Sequence, residues 1–433
     1  MRRSMRGASV AVIAGAMLAT TATMSAAGTP AATPAPAPKP GTERITLSAT
    51  GEQGNASSYG PEFSADGRFA VFSADASNLV PGDTNAKSDV FVRDQRTGTI
   101  ERVSVGSDGT QADGTSNAAG ISADGRYVLF RSSARNLVHW DNPTTDTGAY
   151  DIYLHDRRTG TTERISVGLD GGSALAGGTT MSANARYIAF NAKADRMENQ
   201  PADLFGAVYV LDRSTGEVER ISNRDRPTNP ALLDDVSADG RFVSYTQMVP
   251  RSSYGATWVH DRRTGTEEQV NVKPDGSPAQ RYAWPNSLSA DGRTIAFTYW
   301  GGDLVPDETP GTQDLYVRDL RTDVTRRIDA SGAGEERPGE PVLSPDGRYL
   351  TYEAEPRLGD GRLGPANVYL RDLRTGGTRL VSESVTGGPV TDEGVTVSSI
   401  SPGAGTIGLS SYSAQLVPDD TNGTSDGFVR RLH

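Results

Sequence analysis

Apolar and aromatic residues in this chain come in short runs bounded by glycine, proline, aspartate and serine, and a cycle of four such runs recurs along its length. In one copy the runs are Ala119-Gly-Ile-Ser122, Arg126-Tyr-Val-Leu-Phe130, Asp151-Ile-Tyr-Leu-His155 and Thr162-Glu-Arg-Ile-Ser-Val167. Their β-branched and aromatic content, and the turn residues between them, predict four β-strands. Each cycle is marked by a serine and a tight turn: Ser64-Ala-Asp-Gly-Arg68, Ser122-Ala-Asp-Gly-Arg126, Ser182-Ala-Asn-Ala-Arg186, Ser237-Ala-Asp-Gly-Arg241, Ser289-Ala-Asp-Gly-Arg293, Ser344-Pro-Asp-Gly-Arg348 and Ser401-Pro-Gly-Ala-Gly405. The starts are 58, 60, 55, 52, 55 and 57 residues apart, the period of a repeat architecture and not of separate domains.

Two positions keep their character in all seven copies. The residue before the start serine is apolar (Phe63, Ile121, Met181, Val236, Leu288, Leu343, Ile400), and the third strand carries a central aromatic (Phe91, Tyr153, Tyr209, Trp258, Tyr316, Tyr369, Phe428). Both are expected to pack between neighbouring sheets. Seven four-stranded antiparallel units predict an all-β, seven-bladed β-propeller, in which radial repetition protects the strand edges. The seventh copy supplies three strands only. Gly41-Thr-Glu-Arg-Ile-Thr-Leu47 nearly repeats the outer strand Gly160-Thr-Thr-Glu-Arg-Ile-Ser-Val167, so Glu43 to Ser48 is expected to complete the last blade and close the ring.

These motifs resemble the WD-repeat-like propeller repeat of the TolB family. Its Ser-Pro-Asp-Gly-Arg/Lys turn is matched by Ser344-Pro-Asp-Gly-Arg348, and its Ile-Tyr-Val-x-Asp strand by Leu315-Tyr-Val-Arg-Asp319. The resemblance covers residues 43 to 433. It implies a propeller of the exported bacterial type that works as an interaction scaffold in the cell envelope.

The first residues agree with export. Arg2, Arg3 and Arg6, the apolar stretch Ala8 to Thr20 and the small residues Ser25-Ala-Ala27 read as a signal peptide over 1–27, followed by a Pro/Ala-rich tether over 28–41 and the propeller over 42–433. The apolar stretch is too short to span a bilayer, and no transmembrane segment is expected in the mature chain, which is read as secreted and monomeric. With no cysteine the chain has neither disulfides nor thiolate metal sites. The formal net charge of −11 becomes three units more negative once Arg2, Arg3 and Arg6 are removed, which argues against nucleic acid as a partner.

Strand order also predicts which face binds. First-to-second and third-to-fourth connections are short glycine turns (Ser-Ala-Asp-Gly-Arg and, for example, Arg158-Thr-Gly160) and share one face. The long, unequal connections then share the other, where loops on a rigid scaffold carry recognition. Trp140, Tyr282, Trp284, Tyr299 and Trp300 fall in or beside those connections, and the last four are placed to form one aromatic patch on blade five, set against the alternative that they simply pack on the adjacent blade. The carboxylates Glu62, Asp234, Asp235 and Glu340 precede first strands and are expected near the channel mouth, as a solvated rim or as a binding group.

Two loops carry oxygen ligands at spacing i, i+2, i+6: Asp83, Asn85 and Asp89, and Asp420, Asn422 and Asp426. They partly resemble calcium loops but lack the further carboxylates and the distant glutamate, and blade five degrades the pattern to Glu308, Pro310 and Asp314. Calcium is therefore the one cofactor the sequence suggests, and an Asx-turn is the competing reading. Gly423-Thr-Ser-Asp-Gly427 matches a nucleophile-elbow pattern in letters only, because a strand and not a helix follows it. His139, His155, His260 and His433 are too few and too scattered for a metal cluster. The sequence thus predicts a non-catalytic scaffold that binds an envelope protein or a surface polysaccharide on the long-loop face. The alternative is a carbohydrate-active lyase or glycosidase using loop carboxylates beside the blade-five aromatics.

Overall fold

The structure is a computed structural model, and it describes residues 40–139, 149–169, 171–197, 206–222, 230–248, 255–279, 281, 283–306, 311, 313–330 and 336–432. Each blade grows from one repeat. In blade one the strands Ser58–Phe63, Phe69–Ala74, Asp89–Asp94 and Ile100–Arg102 pair in sequence order, all antiparallel, from the innermost to the outermost. Six more sheets repeat that order and make a seven-bladed propeller.

Burial follows radial position. In the second strand of blade one, Ala70 to Ala74 are all buried, because neighbouring blades cover both of its faces. The outer strands are mainly polar and more open, as in Glu217–Arg220, none of whose residues is buried. At the centre of five of the seven blades two rings meet across the second and third strands. Phe72–Phe91, Phe130–Tyr153, Phe190–Tyr209, Phe297–Tyr316 and Tyr352–Tyr369 stack with centroids 5.6–6.0 Å apart. Such pairs add about 0.5–1.5 kcal/mol each beyond the area they bury.

The start serine and its turn are accounted for by internal bonds. Ser64 Oγ donates to Asp66 Oδ1 (2.7 Å) and accepts from Phe69 N (3.0 Å), while Gly67 takes a φ of 68°. Arg68 then reaches Asp94 (2.7 Å) at the end of the third strand, with its guanidinium 4.6 Å from the Phe69 ring. Arg157 of blade two also lies over that ring, at 4.3 Å, and pairs with Glu101 on the outer strand of blade one. The arrangement recurs with Tyr127 between Arg126 and Arg213, and with Tyr187 between Arg186 and Arg262. A belt of backbone bonds runs beside it, from Ala65 N to Ala123 O, Ala123 N to Ala183 O, Ala183 N to Ala238 O, Ala238 N to Ala290 O and Ala290 N to Pro345 O.

The ring closes through the chain's early residues. Gly41–Arg44 pairs antiparallel with Asp426–Arg431, in the register Gly41 to Arg431 and Arg44 to Phe428. The strand begins two residues before the expected Glu43, and the contact continues past its end. Ile45 N donates to Gly427 O (2.9 Å), Thr46 Oγ1 donates to Asp426 Oδ1 (2.7 Å), and the Arg44 side chain, almost wholly buried, meets Asp420 (2.7 Å) and Asp426 (3.2 Å). Blades seven and one touch closely near the axis, where Ser398 and Ser399 donate to Pro61 O (2.6 and 2.7 Å). A Cβ on Gly408 would stand 2.3 Å from that same carbonyl oxygen.

Candidate functional site at the channel mouth

The strands pass into the short turns at one face and into the long connections at the other, as antiparallel order requires. At the long-loop ends of the strands stand the exposed side chains of Tyr59, Leu232, Trp300, Leu358, Leu363 and Tyr412. The short-turn side exposes Val218 and Val324.

The inner strands surround the channel and are irregular. Register shifts fall between Tyr59 and Glu62, Ala118 and Gly120, Leu233 and Asp235, Ala283 and Asn286, Pro338 and Pro341, and Val397 and Ser399. Such bulges bend a strand and re-aim its side chains. An inner strand also has an unpaired edge, and here side chains of the adjoining blade cap it. Ala118 N donates to Ser73 Oγ (2.8 Å), Leu233 N to Asn191 Oδ1 (2.8 Å), Gly60 N to Ser410 Oγ (3.0 Å) and Val397 N to Glu353 Oε1 (3.1 Å). All four acceptors stand nine residues after a start serine, where the other copies carry Arg131, Thr246 and Thr298. Glu353 is the one carboxylate at this position.

Glu353 opens onto a cavity of about 520 Å³ between blades six, seven and one, lined also by Tyr59, Arg337, Glu340 and Glu355 and, from blade five, by Gln313. Burial, with smaller contributions from Glu340 and Glu355, raises the Glu353 carboxyl to about 7 against the bond from Val397 N. Arg337 lies 3.8 Å from Glu355. Tyr59 is 42% exposed, with Tyr412 close to it. Deeper in the channel, burial and the charge of Asp235 on blade four raise Glu62 of blade one to about 7. Burial likewise raises Asp235 to about 6, although its oxygens accept from Leu288 N (3.0 Å) and Val236 N (2.8 Å).

The sequence-predicted residues are divided by the structure. Trp140 and Tyr282 lie outside the described residues, and of Trp284 only the backbone, in the strand Ala283–Leu288, is described. Tyr299 is buried, edge-on to Tyr316 with centroids 6.1 Å apart, and its hydroxyl donates to Asp303 (2.8 Å), so its ring belongs to the packing of blade five. Trp300, one residue on, is 47% exposed because the alternation of a strand turns it to the other face. Asp234 accepts from Thr246 Oγ1 (2.9 Å).

In the two acidic loops an arginine supplies the positive charge. Arg102 lies 3.2 Å from Asp83 and 3.5 Å from Asp89, and Arg44 pairs likewise with Asp420 and Asp426. Asn85 donates to Asp89 (2.9 Å) and to Ala112 O (3.0 Å) and accepts from Lys87 N (3.0 Å), the bonding of an Asx-turn. Asn422 makes the corresponding bonds to Asp426 (3.0 Å), Gly54 O (3.1 Å) and Thr424 N (3.3 Å). Among the described residues no group of three or more His, Asp or Glu side chains is disposed to hold a metal ion.

Comparison with protein-family profiles gives no match, and no curated protein matches the sequence. Solved structures do. The chain is similar to the oligogalacturonate lyase of Vibrio parahaemolyticus, with a TM-score of 0.53 and 12% identity over 87% of this chain and 89% of that one. It is similar to the β-propeller domain of the Trilobed protease from Pyrococcus furiosus, described as having an open velcro topology, at a TM-score of 0.51 and 11% identity over 84% and 99% of the two chains. The putative TolB of Agrobacterium tumefaciens matches over 68% of this chain and 88% of its own, with a TM-score of 0.42 and 16% identity. What is shared at these identities is the propeller fold. No helix among the described residues is long and apolar enough to cross a membrane.

Proposed function

We propose that this protein is an exported, non-catalytic binding scaffold, monomeric, that takes an envelope protein or a surface polysaccharide on its long-loop face. The observation that carries this reading is an asymmetry between the faces. On the short-turn face the repeated serine, aspartate and arginine groups are engaged within and between blades, as in Ser64–Asp66 and Arg68–Asp94. On the long-loop face the residues that break the repeat, among them Glu353 and Tyr59, gather around a cavity. Departures from a repeat that open onto a cavity are where a rigid scaffold acquires specificity. The arginine-rich start and the tether support export and an extended leash.

Affinity capture on immobilised residues 28–433 from an envelope extract tests the reading. A discrete partner should be retained, and Tyr59→Ala or Trp300→Ala should reduce its recovery while Arg158→Ala on the short-turn face leaves it unchanged. Loss confined to Arg158→Ala would refute the assignment of the face.

One observation favours the carbohydrate-active alternative. A carboxyl held protonated up to about 7 beside two other carboxylates, as Glu353 is, has the proton a general acid needs. Release of new sugar ends from a polymer, abolished by Glu353→Gln, would establish that reading in place of the scaffold.

A further inference from the structure

We infer that the cavity at the channel mouth between blades six, seven and one binds a glycan free of acid groups; the inference rests on the scaffold reading above and names its ligand. Backbone pairing is the usual way for a peptide to join an exposed strand. Here the inner-strand amides of Gly60 and Val397 beside the cavity are already satisfied, by Ser410 Oγ (3.0 Å) and by Glu353 Oε1 (3.1 Å). A ligand in the mouth is therefore recognised by side chains.

Those side chains have the chemistry of sugar binding. Glu340 and Glu355 are acceptors for vicinal hydroxyls, with the second oxygen of Glu353 beside them, Arg337 is a donor to ring and hydroxyl oxygens while Gln313 Nε2 is bonded to Pro338 O (2.8 Å), and the exposed Tyr59 offers its ring to the apolar face of a pyranose. Tyr412, 54% exposed beside it, extends the aromatic platform towards solvent, where a chain of further sugar units would run. The apolar pockets that anchor protein hot spots are missing from the lining, in which Pro338, Ala366 and Val397 are the main apolar members. The volume of about 520 Å³ lies within the range of roughly 300–1,000 Å³ typical of small-ligand sites. Charge sets the class of glycan. Glu340 and Glu355 face one guanidinium, which is itself turned to Glu355 (3.8 Å), so the lining keeps a net negative charge even where Glu353 holds its proton. Uronates, sulfated sugars and phosphorylated sugars are repelled, whereas neutral and amino sugars are accepted.

Calorimetric titration of residues 28–433 with soluble neutral, amino and uronate oligosaccharides tests this. The expected result is binding of a neutral or amino oligosaccharide, weakened at least about tenfold by Tyr59→Ala and by Glu353→Gln, and unchanged by Arg158→Ala. Tyr59→Ala removes an exposed ring and should leave the fold intact, which thermal unfolding of the variant verifies. Binding of uronates alone would overturn the inference, as would glycan binding indifferent to both substitutions. If no oligosaccharide binds while the capture experiment retains a protein, the scaffold reading stands and the glycan assignment falls. Silence in both experiments overturns both.

Discussion

At the scale of the residue, the same side-chain type does different work according to whether the repeat supplies its partner. Asp66 is met by Ser64, and Asp94 by Arg68, so both were legible as structural from their recurrence. Asp83 and Asp89 carry oxygen ligands at a spacing partly like a calcium loop, and spacing alone cannot show that Arg102, on the next strand, lies within 3.5 Å of both. Millimolar calcium is therefore expected to leave the melting temperature unchanged within error, and a rise of several degrees reversed by chelator would contradict this. Arg102→Gln strips the buried Asp89 of its counter-ion and should destabilise the fold by roughly 3–5 kcal/mol, measurable by denaturant titration. Gly408→Ala places a methyl against Pro61 O and should cost about 1–3 kcal/mol of stability. Glu353 was missed for the opposite reason. Its only signal is a carboxylate where other copies carry Ser73, Asn191 or Ser410, and a single departure among seven loose repeats is easily read as drift.

At the scale of the element, the four-strand pattern was legible because period-two runs and glycine turns are local properties of the chain. The bulges of the inner strands were not, since a register shift depends on what lies across and not on the strand's own residues. Closure was legible by near identity of Gly41–Leu47 to an outer strand, although the strand starts at Gly41 and not at Glu43. Deleting 42–48 removes Ile45 and Thr46 from the core and uncovers the edge of Asp426–Arg431, and should lower the melting temperature sharply. Deleting 28–40 should leave it unchanged. Equal melting of the two deletions would mean that the first strand does not hold the ring.

At the scale of the whole molecule, the channel gathers carboxylates whose titration links folding to pH. Folded, Glu62 and Glu353 are raised to about 7 and Asp235 to about 6, against ordinary values of 4.5 and 3.8. Between those limits the folded chain holds more protons than the unfolded one, so stability falls as pH rises through that interval. Asp156, Asp212, Asp261 and Asp372 act in the other direction. Hydrogen bonds from Arg126, Arg186, Arg241 and Arg348 hold them well below 3.8, and the stability they give is present above that value and lost as pH drops beneath it. The melting temperature should accordingly peak near pH ~4 and decline until about pH 7, and Glu62→Gln with Asp235→Asn should flatten that decline. A melting temperature that rises from pH 5 to 8 would refute this arrangement of charges.

That one face of the ring is structural and the other binds is the central claim, and hydrogen–deuterium exchange of residues 28–433, with and without the envelope fraction it retains, tests it most directly. Protection should appear around Tyr59, Arg337–Glu340, Glu353–Glu355 and Val397–Ser398, with the turns at Asp94–Gly98 and Asp156–Gly160 unchanged. Protection of those turns with an unaltered channel mouth would contradict it.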